Sequence, residues 1–167
     1  GVMFNLPASA LRNPSDPTFT LYNHQFLFFI YHVVVEIFES VFEGNRNSIG
    51  GAFGLEGGGH AIIRGSRFIR NIADYAAGAI RVSYSDAAVE LTDTLFVNNS
   101  ARQLCHNYQQ LSTGQVNMTN VSFFLHGSST GIADICMSNV GPSDIDASTR
   151  FVCPPGTVLQ NPTGDAE

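Results

Sequence analysis

One short phrase recurs four times along the chain, beginning at Val35, Ala61, Val89 and Val116. When the four copies are aligned, the successive phenylalanines lie 26, 28 and 27 positions apart. One apolar column contains Phe42, Phe68, Phe96 and Phe123, and a second contains Ile37, Ile63, Leu91 and Met118. A fixed period of this length, with apolar and polar residues alternating inside each copy, predicts structural repeats that stack on one another.

Each repeat contains signals for short strands separated by sharp corners. The odd spacing between Leu91 and Phe96 predicts a bend, at which the repeats carry Ser40, Ser66 and Thr94. A column of Asn45, Asn71 and Asn99 follows, with His126 in the fourth copy, and we interpret it as a structural ladder because Asn tolerates left-handed backbone and stacked amides hydrogen-bond. A third strand follows Gly51 and Gly78.

These elements predict an all-β fold, a parallel β-helix of about four to five coils with three short strands per coil. A β-sandwich also has short alternating strands, but it gives no reason for Phe, Asn and Gly to recur in a fixed order. We expect an N-terminal extension over residues 1–25, the β-helix with an N-terminal cap or partial coil over residues 26–141, and a Pro- and Gly-rich tail over residues 142–167.

Composition argues against two classes of partner. The net charge is -6 and all eight basic residues are Arg, so the chain lacks the basic face that nucleic acid requires. The longest apolar stretch, from Phe26 to Val35, is too short to span a bilayer and contains His32. We therefore expect no nucleic acid partner and no transmembrane segment.

The repeats resemble a known family in two short motifs. FEGN with GGAF (residues 42–45 and 50–53) and FIRN with AGAI (residues 68–71 and 77–80) are similar to the FxxN and GGA[ILVY] motifs of polymorphic outer membrane protein repeats, and FVNN (residues 96–99) is a third match. The resemblance implies a right-handed parallel β-helix of the pectin-lyase-like type that is displayed at a surface and used in adhesion. The third repeat has no GGA, and FFLH (residues 123–126) departs from the motif in the fourth.

Three cysteines allow more than one state. If Leu104-Cys105 and Ile135-Cys136 both align with Ile80-Arg81, the two cysteines face outward on adjacent rungs at a separation that a disulfide accepts. Cys136 is alternatively paired with Cys153, which would leave Cys105 free. A third reading is three reduced thiols in an intracellular protein.

Three asparagines lie in N-glycosylation sequons, namely Asn98, Asn117 and Asn120. The alternation predicts that Asn98 and Asn117 face solvent, because each flanks an inward residue. We expect glycans there if the source has a eukaryotic secretory route.

Catalytic and metal-binding patterns are missing from the sequence. Glu36 and Glu90 share an outward column but lie two rungs apart, with Ile62 between them, which is at or past the separation used in glycoside hydrolysis. The five histidines are not paired with a nucleophile by any motif, and no Cys or His pair has the spacing of a zinc site. We predict no catalytic residue, no cofactor and no metal.

The ends of a solenoid present unpaired strand edges and an apolar cross-section. This predicts a non-catalytic structural or adhesive subunit of an extracellular fibre, coat or surface assembly, which contacts protein partners or itself through its ends. One alternative is a carbohydrate-binding or carbohydrate-degrading module. Another is an accessory subunit of a complex in the lumen of an organelle.

Overall fold

A computed structural model describes residues 20–22, 29–30, 34–55, 59–83, 87–111, 115–124, 134–137 and 145–152. Across these ranges the regular structure is all β, without a helix. The strands are β1 (Thr20–Tyr22), β2 (Phe29–Ile30), β3 (Val34–Phe38), β4 (Val41–Glu43), β5 (Arg46–Ile49), β6 (Phe53–Leu55), β7 (His60–Arg64), β8 (Arg67–Ile69), β9 (Ile72–Ala76), β10 (Ile80–Val82), β11 (Ala88–Thr92), β12 (Leu95–Val97), β13 (Ser100–Ala101), β14 (Tyr108–Gln110), β15 (Gln115–Thr119), β16 (Ser122–Phe124), β17 (Ile135–Met137) and β18 (Arg150–Val152).

The strands stack into four parallel sheets, which we call faces 1 to 4 in the order in which a coil visits them. Face 1 has the order β3-β7-β11-β15, and face 2 has the order β1-β4-β8-β12-β16-β18. Face 3 has the order β5-β9-β13, and face 4 has the order β2-β6-β10-β14-β17. Since neighbouring strands in each face are about one coil apart in sequence, the chain forms a parallel β-solenoid, which confirms the predicted fold class.

The number of coils and of strands per coil differs from the prediction. The described residues form three complete coils, β3 to β6, β7 to β10 and β11 to β14, and the strands before and after them belong to partial coils. Each complete coil has four strands rather than three. The fourth, on face 3, was missed because its strands carry only small buried residues: β9 buries Ala73 and Ala76 between exposed side chains and shows no strong apolar alternation.

Face 2 extends beyond the predicted limits of the β-helix. β1, within the segment predicted as an extension, pairs with β4, and β18, within the predicted tail, pairs with β16. Strands of the solenoid therefore lie on both sides of the boundaries drawn at residues 26 and 141.

The core is built from vertical columns of like side chains. On face 2 the rings of Phe42, Phe68, Phe96 and Phe123 stack with centroid separations of 4.8, 5.1 and 4.6 Å and interplanar angles of 3°, 10° and 13°. Phe151 lies 28 residues after Phe123, on the same period, and continues the stack with a centroid separation of 5.6 Å. On face 1 the column of Ile37, Ile63, Leu91 and Met118 is buried beside it.

The corner between faces 1 and 2 repeats a left-handed residue followed by a small buried one. The left-handed residues are Glu39, Gly65, Asp93 and Asn120, with φ values of 45°, 59°, 50° and 51°. The next position holds Ser40, Ser66 and Thr94, whose hydroxyls donate hydrogen bonds to the carbonyl two residues earlier. These local bonds satisfy the buried hydroxyls and fix the bend that the odd spacing predicts.

The corner between faces 3 and 4 requires glycine because two coils approach there backbone to backbone. A Cβ atom on Gly51 would lie 2.1 Å from the carbonyl oxygen of Gly78, and one on Gly78 would lie 2.2 Å from that of His106. No side chain fits in this space, which gives the Gly in both copies of the motif a steric cause.

Candidate functional site

The predicted asparagine ladder lies inside the solenoid, at the corner between faces 2 and 3. The Nδ2 atom of Asn45 donates to Oδ1 of Asn71, and that of Asn71 donates to Oδ1 of Asn99, each over 2.9 Å. The ladder continues from Asn99 to Asn107 over 3.0 Å and from Asn107 to Asp134 over 3.1 Å. Sequence reasoning missed the last two members because Asn107 follows Asn99 within the same coil, off the period; His126 lies outside the described residues.

Two members of this ladder, Asn71 and Asn99, also bind the backbone. Oδ1 of Asn71 accepts the backbone N–H of Asn45, and Nδ2 of Asn71 donates to the carbonyl oxygen of Phe42. Asn99 repeats the arrangement one coil later. Because buried amides without partners are costly, this pairing makes the column a structural element that ties adjacent coils together, rather than a ligand site.

The structure joins Cys105 to Cys136 in a disulfide with a Cα–Cα distance of 5.6 Å. Half of the alignment from which this pair was considered is confirmed, because Arg81 pairs with Gln109 and Gln109 pairs with Cys136, which puts Cys136 in the column of Arg81. The other half is wrong, because in the intervening coil that column holds Gln109 and not Cys105. Cys105 instead precedes β14 at the corner, where its φ is 54°. The disulfide excludes the alternative bond from Cys136 to Cys153; Cys153 lies outside the described residues.

The three sequon asparagines are exposed but differ in their surroundings. Asn98 occupies a left-handed corner with a φ of 52°, immediately before the buried Asn99. Asn117 lies in the middle of β15 on the outside of face 1. Asn120 lies at the corner between faces 1 and 2, where its Nδ2 atom donates to Oδ1 of Asp93 and its backbone N–H donates to Oγ of Ser148 over 2.7 Å.

The charged groups on the lateral faces pair with one another between coils. On face 1, Nε2 of His60 lies 3.1 Å from Oε1 of Glu90, and an Arg64 nitrogen lies 4.0 Å from the other oxygen. On face 3, Asp74 lies 2.7 Å from an Arg46 nitrogen and 3.7 Å from Nε of Arg102. The hydrogen bond from Arg46 holds the pKa of Asp74 below its ordinary value. Such exposed pairs act mainly as solvated contacts between coils.

The next features are the carboxylates of Glu36 and Glu90 and the side chains that can bind metals, within the described ranges. The register places Ile62 between Glu36 and Glu90, so these carboxylates lie two rungs apart, as expected. No group of three or more His, Cys, Asp or Glu side chains in the described ranges is arranged to hold a metal ion. Within the same ranges there is no helix with the length and apolarity needed to cross a membrane.

The C-terminal end of face 2 exposes an apolar surface beside a strand edge. Phe151 points along the inward column, yet it is 39% exposed, whereas Phe96 and Phe123 are fully buried. Phe124 and Val152 are register partners on the outside of the same two strands and are 41% and 36% exposed. We call Phe124, Phe151 and Val152 the C-terminal apolar patch; it lies along β18, the edge strand of face 2.

No model of a known protein family matches this chain, and neither a curated protein nor a solved structure shows significant similarity to it. The resemblance to polymorphic outer membrane protein repeats therefore has no support from a family match. The parallel strand pairing is what shows the β-solenoid fold.

Proposed function

We propose that this chain is a non-catalytic structural subunit of an extracellular or surface assembly, and that it joins a second copy of itself through the end of its solenoid. The observation that carries the proposal is the exposure of Phe151 at the end of an otherwise buried aromatic stack. Within the described residues no further rung covers this inward-facing ring, which leaves apolar area in water beside a strand edge.

The geometry of face 2 favours head-to-tail association. Its two edge strands are β1 and β18, and every neighbouring pair between them is parallel. A second copy placed with its β1 against β18 would continue the sheet with the same strand polarity. In that register Phe151 would meet the position of Leu21, which is the register partner of Phe42. Such a contact is heterologous, so it extends into a filament unless the rotation between copies closes a ring.

Two further features support the extracellular and non-catalytic parts of the proposal. The Cys105–Cys136 disulfide is compatible with an oxidising compartment, where such bonds persist. The carboxylates of Glu36 and Glu90 are held apart by a full coil, and the carboxylate of Glu90 is occupied by His60 and Arg64. The pectin-lyase-like type, and with it a carbohydrate-binding or carbohydrate-degrading role, stays a prediction. A place in an organellar complex also stays a prediction.

Sedimentation velocity over a concentration series tests the association. We expect the unmodified chain to form oligomers whose size grows with concentration, and the Phe151→Asp variant to remain monomeric, because a carboxylate at this position would be desolvated by the partner. Leu111→Asp is the matched control, since Leu111 is an exposed apolar residue directly after β14 on face 4, away from β18.

Electron microscopy of the same samples should show linear particles for the unmodified chain and for Leu111→Asp. A chain that stays monomeric at every concentration contradicts the proposal. So does an association that Phe151→Asp leaves unchanged, because the contact would then lie elsewhere on the molecule.

A further inference from the structure

We infer that Asn117 is an N-glycosylation site and that its glycan covers the outer surface of face 1. The inference rests on the extracellular location contained in the proposed function. It concerns a different surface from the C-terminal apolar patch, so the two proposals can fail independently.

Asn117 is presented outward by a strand that is anchored on both sides of it. Its neighbours Val116 and Met118 are 0% and 1% exposed, while Asn117 itself is exposed. Side chains two residues apart in a strand lie on the same side. Thr119 is therefore on the same outer surface, and it is also exposed. The amide and the hydroxyl that define the sequon are thus accessible together.

The Asn117 side chain makes no hydrogen bond to the rest of the described chain, whereas the amide of Asn120 is already engaged. Nδ2 of Asn120 donates to Oδ1 of Asp93 on the preceding coil, and its backbone N–H donates to Ser148. Attaching a sugar to Asn120 would place a bulky group on the very nitrogen that makes the first of these bonds, at a corner already in contact with Asp93 and Ser148. Asn117 has no contact of this kind to lose.

Of the chain itself, the transfer reaction requires only the exposed amide and hydroxyl of the sequon. Nδ2 of Asn117 forms a bond to C1 of a sugar carried by a lipid-linked diphosphate oligosaccharide. The bond from C1 to the phosphate oxygen breaks, the lipid diphosphate leaves with that electron pair, and Nδ2 loses one proton. The product keeps one N–H on an uncharged amide, which is bulky and solubilising at a surface.

A glycan at Asn117 would restrict which surfaces of the solenoid remain open. The outward column of face 1 runs through Glu36, Ile62, Glu90 and Asn117, so a chain of sugars on the last of these lies beside the others. Lateral packing through face 1 is then blocked. The edge of face 2 at β18 belongs to a different sheet.

Secretion of the chain from cultured eukaryotic cells tests the site. N-glycans are removed enzymatically in heavy-oxygen water, and the label left at each former glycan site is measured by peptide mass spectrometry. We expect Asn117 to be occupied in the majority of molecules and Asn120 in a minority. Asn117→Gln should remove one glycan from the intact mass, Thr119→Ala should do the same without changing the asparagine, and Asn120→Gln should leave the mass distribution nearly unchanged.

Secreted chain without a glycan at Asn117, or with Asn120 occupied as often as Asn117, overturns the inference. The thermal unfolding midpoint of Asn117→Gln is compared with that of the unmodified chain after both are deglycosylated. An unchanged midpoint shows that a lost glycan does not reflect misfolding. If Asn117 is unmodified while unglycosylated chain still associates through β18, only the glycan inference falls. If Asn117 is occupied and the chain stays monomeric, only the association falls.

Discussion

The inward side chains of faces 2 and 4 pack in two different ways. On face 2 the inward position is Phe in five successive rungs, and each ring stacks nearly parallel on the next. On face 4 the corresponding position changes at every rung, from Phe53 to Ile80, Tyr108 and Ile135. The first face is held by repetition, and the second by contacts that are specific to each coil.

The difference shows which positions of a solenoid need to repeat. Stacked rings gain from lying over their own kind, because offset aromatic pairs at these separations add to the area they bury. Face 4 fills the same kind of space with unlike side chains, a buried hydrogen bond from Tyr108 to Gln110 and a disulfide next to β14. Packing density can be reached either way, but only the first way leaves a periodic signal in the sequence.

Removing one ring from the middle of the face 2 stack should have the largest effect on stability. Phe96 is fully buried between Phe68 and Phe123, so Phe96→Ala leaves a cavity with rings above and below it. We expect a loss of about 3–5 kcal/mol in the free energy of unfolding, measured by urea denaturation. Phe124→Ala, on the outside of β16, should cost less than about 0.5 kcal/mol. Equal losses in the two variants would show that the stack is not what holds face 2 together.

The positions that could be predicted from the sequence are those that repeat. The period located the Phe column and the first three asparagines of the ladder, and the odd spacing located the corner at Ser40, Ser66 and Thr94. Face 3 could not be found, because its buried residues are small and its strands are mostly exposed. Phe151 was missed because it follows a segment of polar residues that resembles a tail.

The error at Cys105 has an instructive cause. Tyr108 follows Asn99 by nine residues, as Ile80 follows Asn71, so the correct strand could have been found from the ladder. Gln109 and Gln110 give that strand no apolar pattern, although both are buried. The nine-residue distance from Asn99 therefore locates this strand, whereas the apolar residue next to Cys105 does not.

Removing the disulfide should lower the free energy of unfolding somewhat less than removing a ring from the aromatic stack. The loss of stability should fall mainly on face 4. It links residues 31 apart in sequence and ties the segment before β14 to β17. A bond that closes a loop of this size contributes about 3–4 kcal/mol. We expect the double variant Cys105→Ser, Cys136→Ser to lose about that much free energy of unfolding, with hydrogen exchange faster at β14 and β17 than at β12 and β16.

Reductant provides the matched measurement for this prediction. It should lower the free energy of unfolding of the unmodified protein to that of the double variant. The free energy of unfolding of the double variant itself should not change. Exchange that accelerates equally on faces 2 and 4 would show that the bond supports the whole solenoid, and the contrast between the two faces would then not extend to their stability.

The smallest effect is expected where the hydrogen bond inside face 4 is replaced as a pair. The hydroxyl of Tyr108 donates to Oε1 of Gln110 over 2.6 Å, both side chains are buried, and burial raises the pKa of Tyr108, so the hydroxyl stays a donor at ordinary pH. Tyr108→Phe alone leaves the acceptor of Gln110 without this partner, and we expect it to cost about 1–3 kcal/mol. Adding Gln110→Leu should recover part of that loss, because it removes the acceptor that Tyr108→Phe deprives of its donor, and position 110 lies between Val82 and Met137 in an otherwise apolar column. Urea denaturation of both single variants and the double variant forms a complete cycle.

If the double variant is the least stable of the three, the polar pair contributes more to face 4 than an apolar column would. Face 4 then depends on its specific contacts as strongly as face 2 depends on repetition.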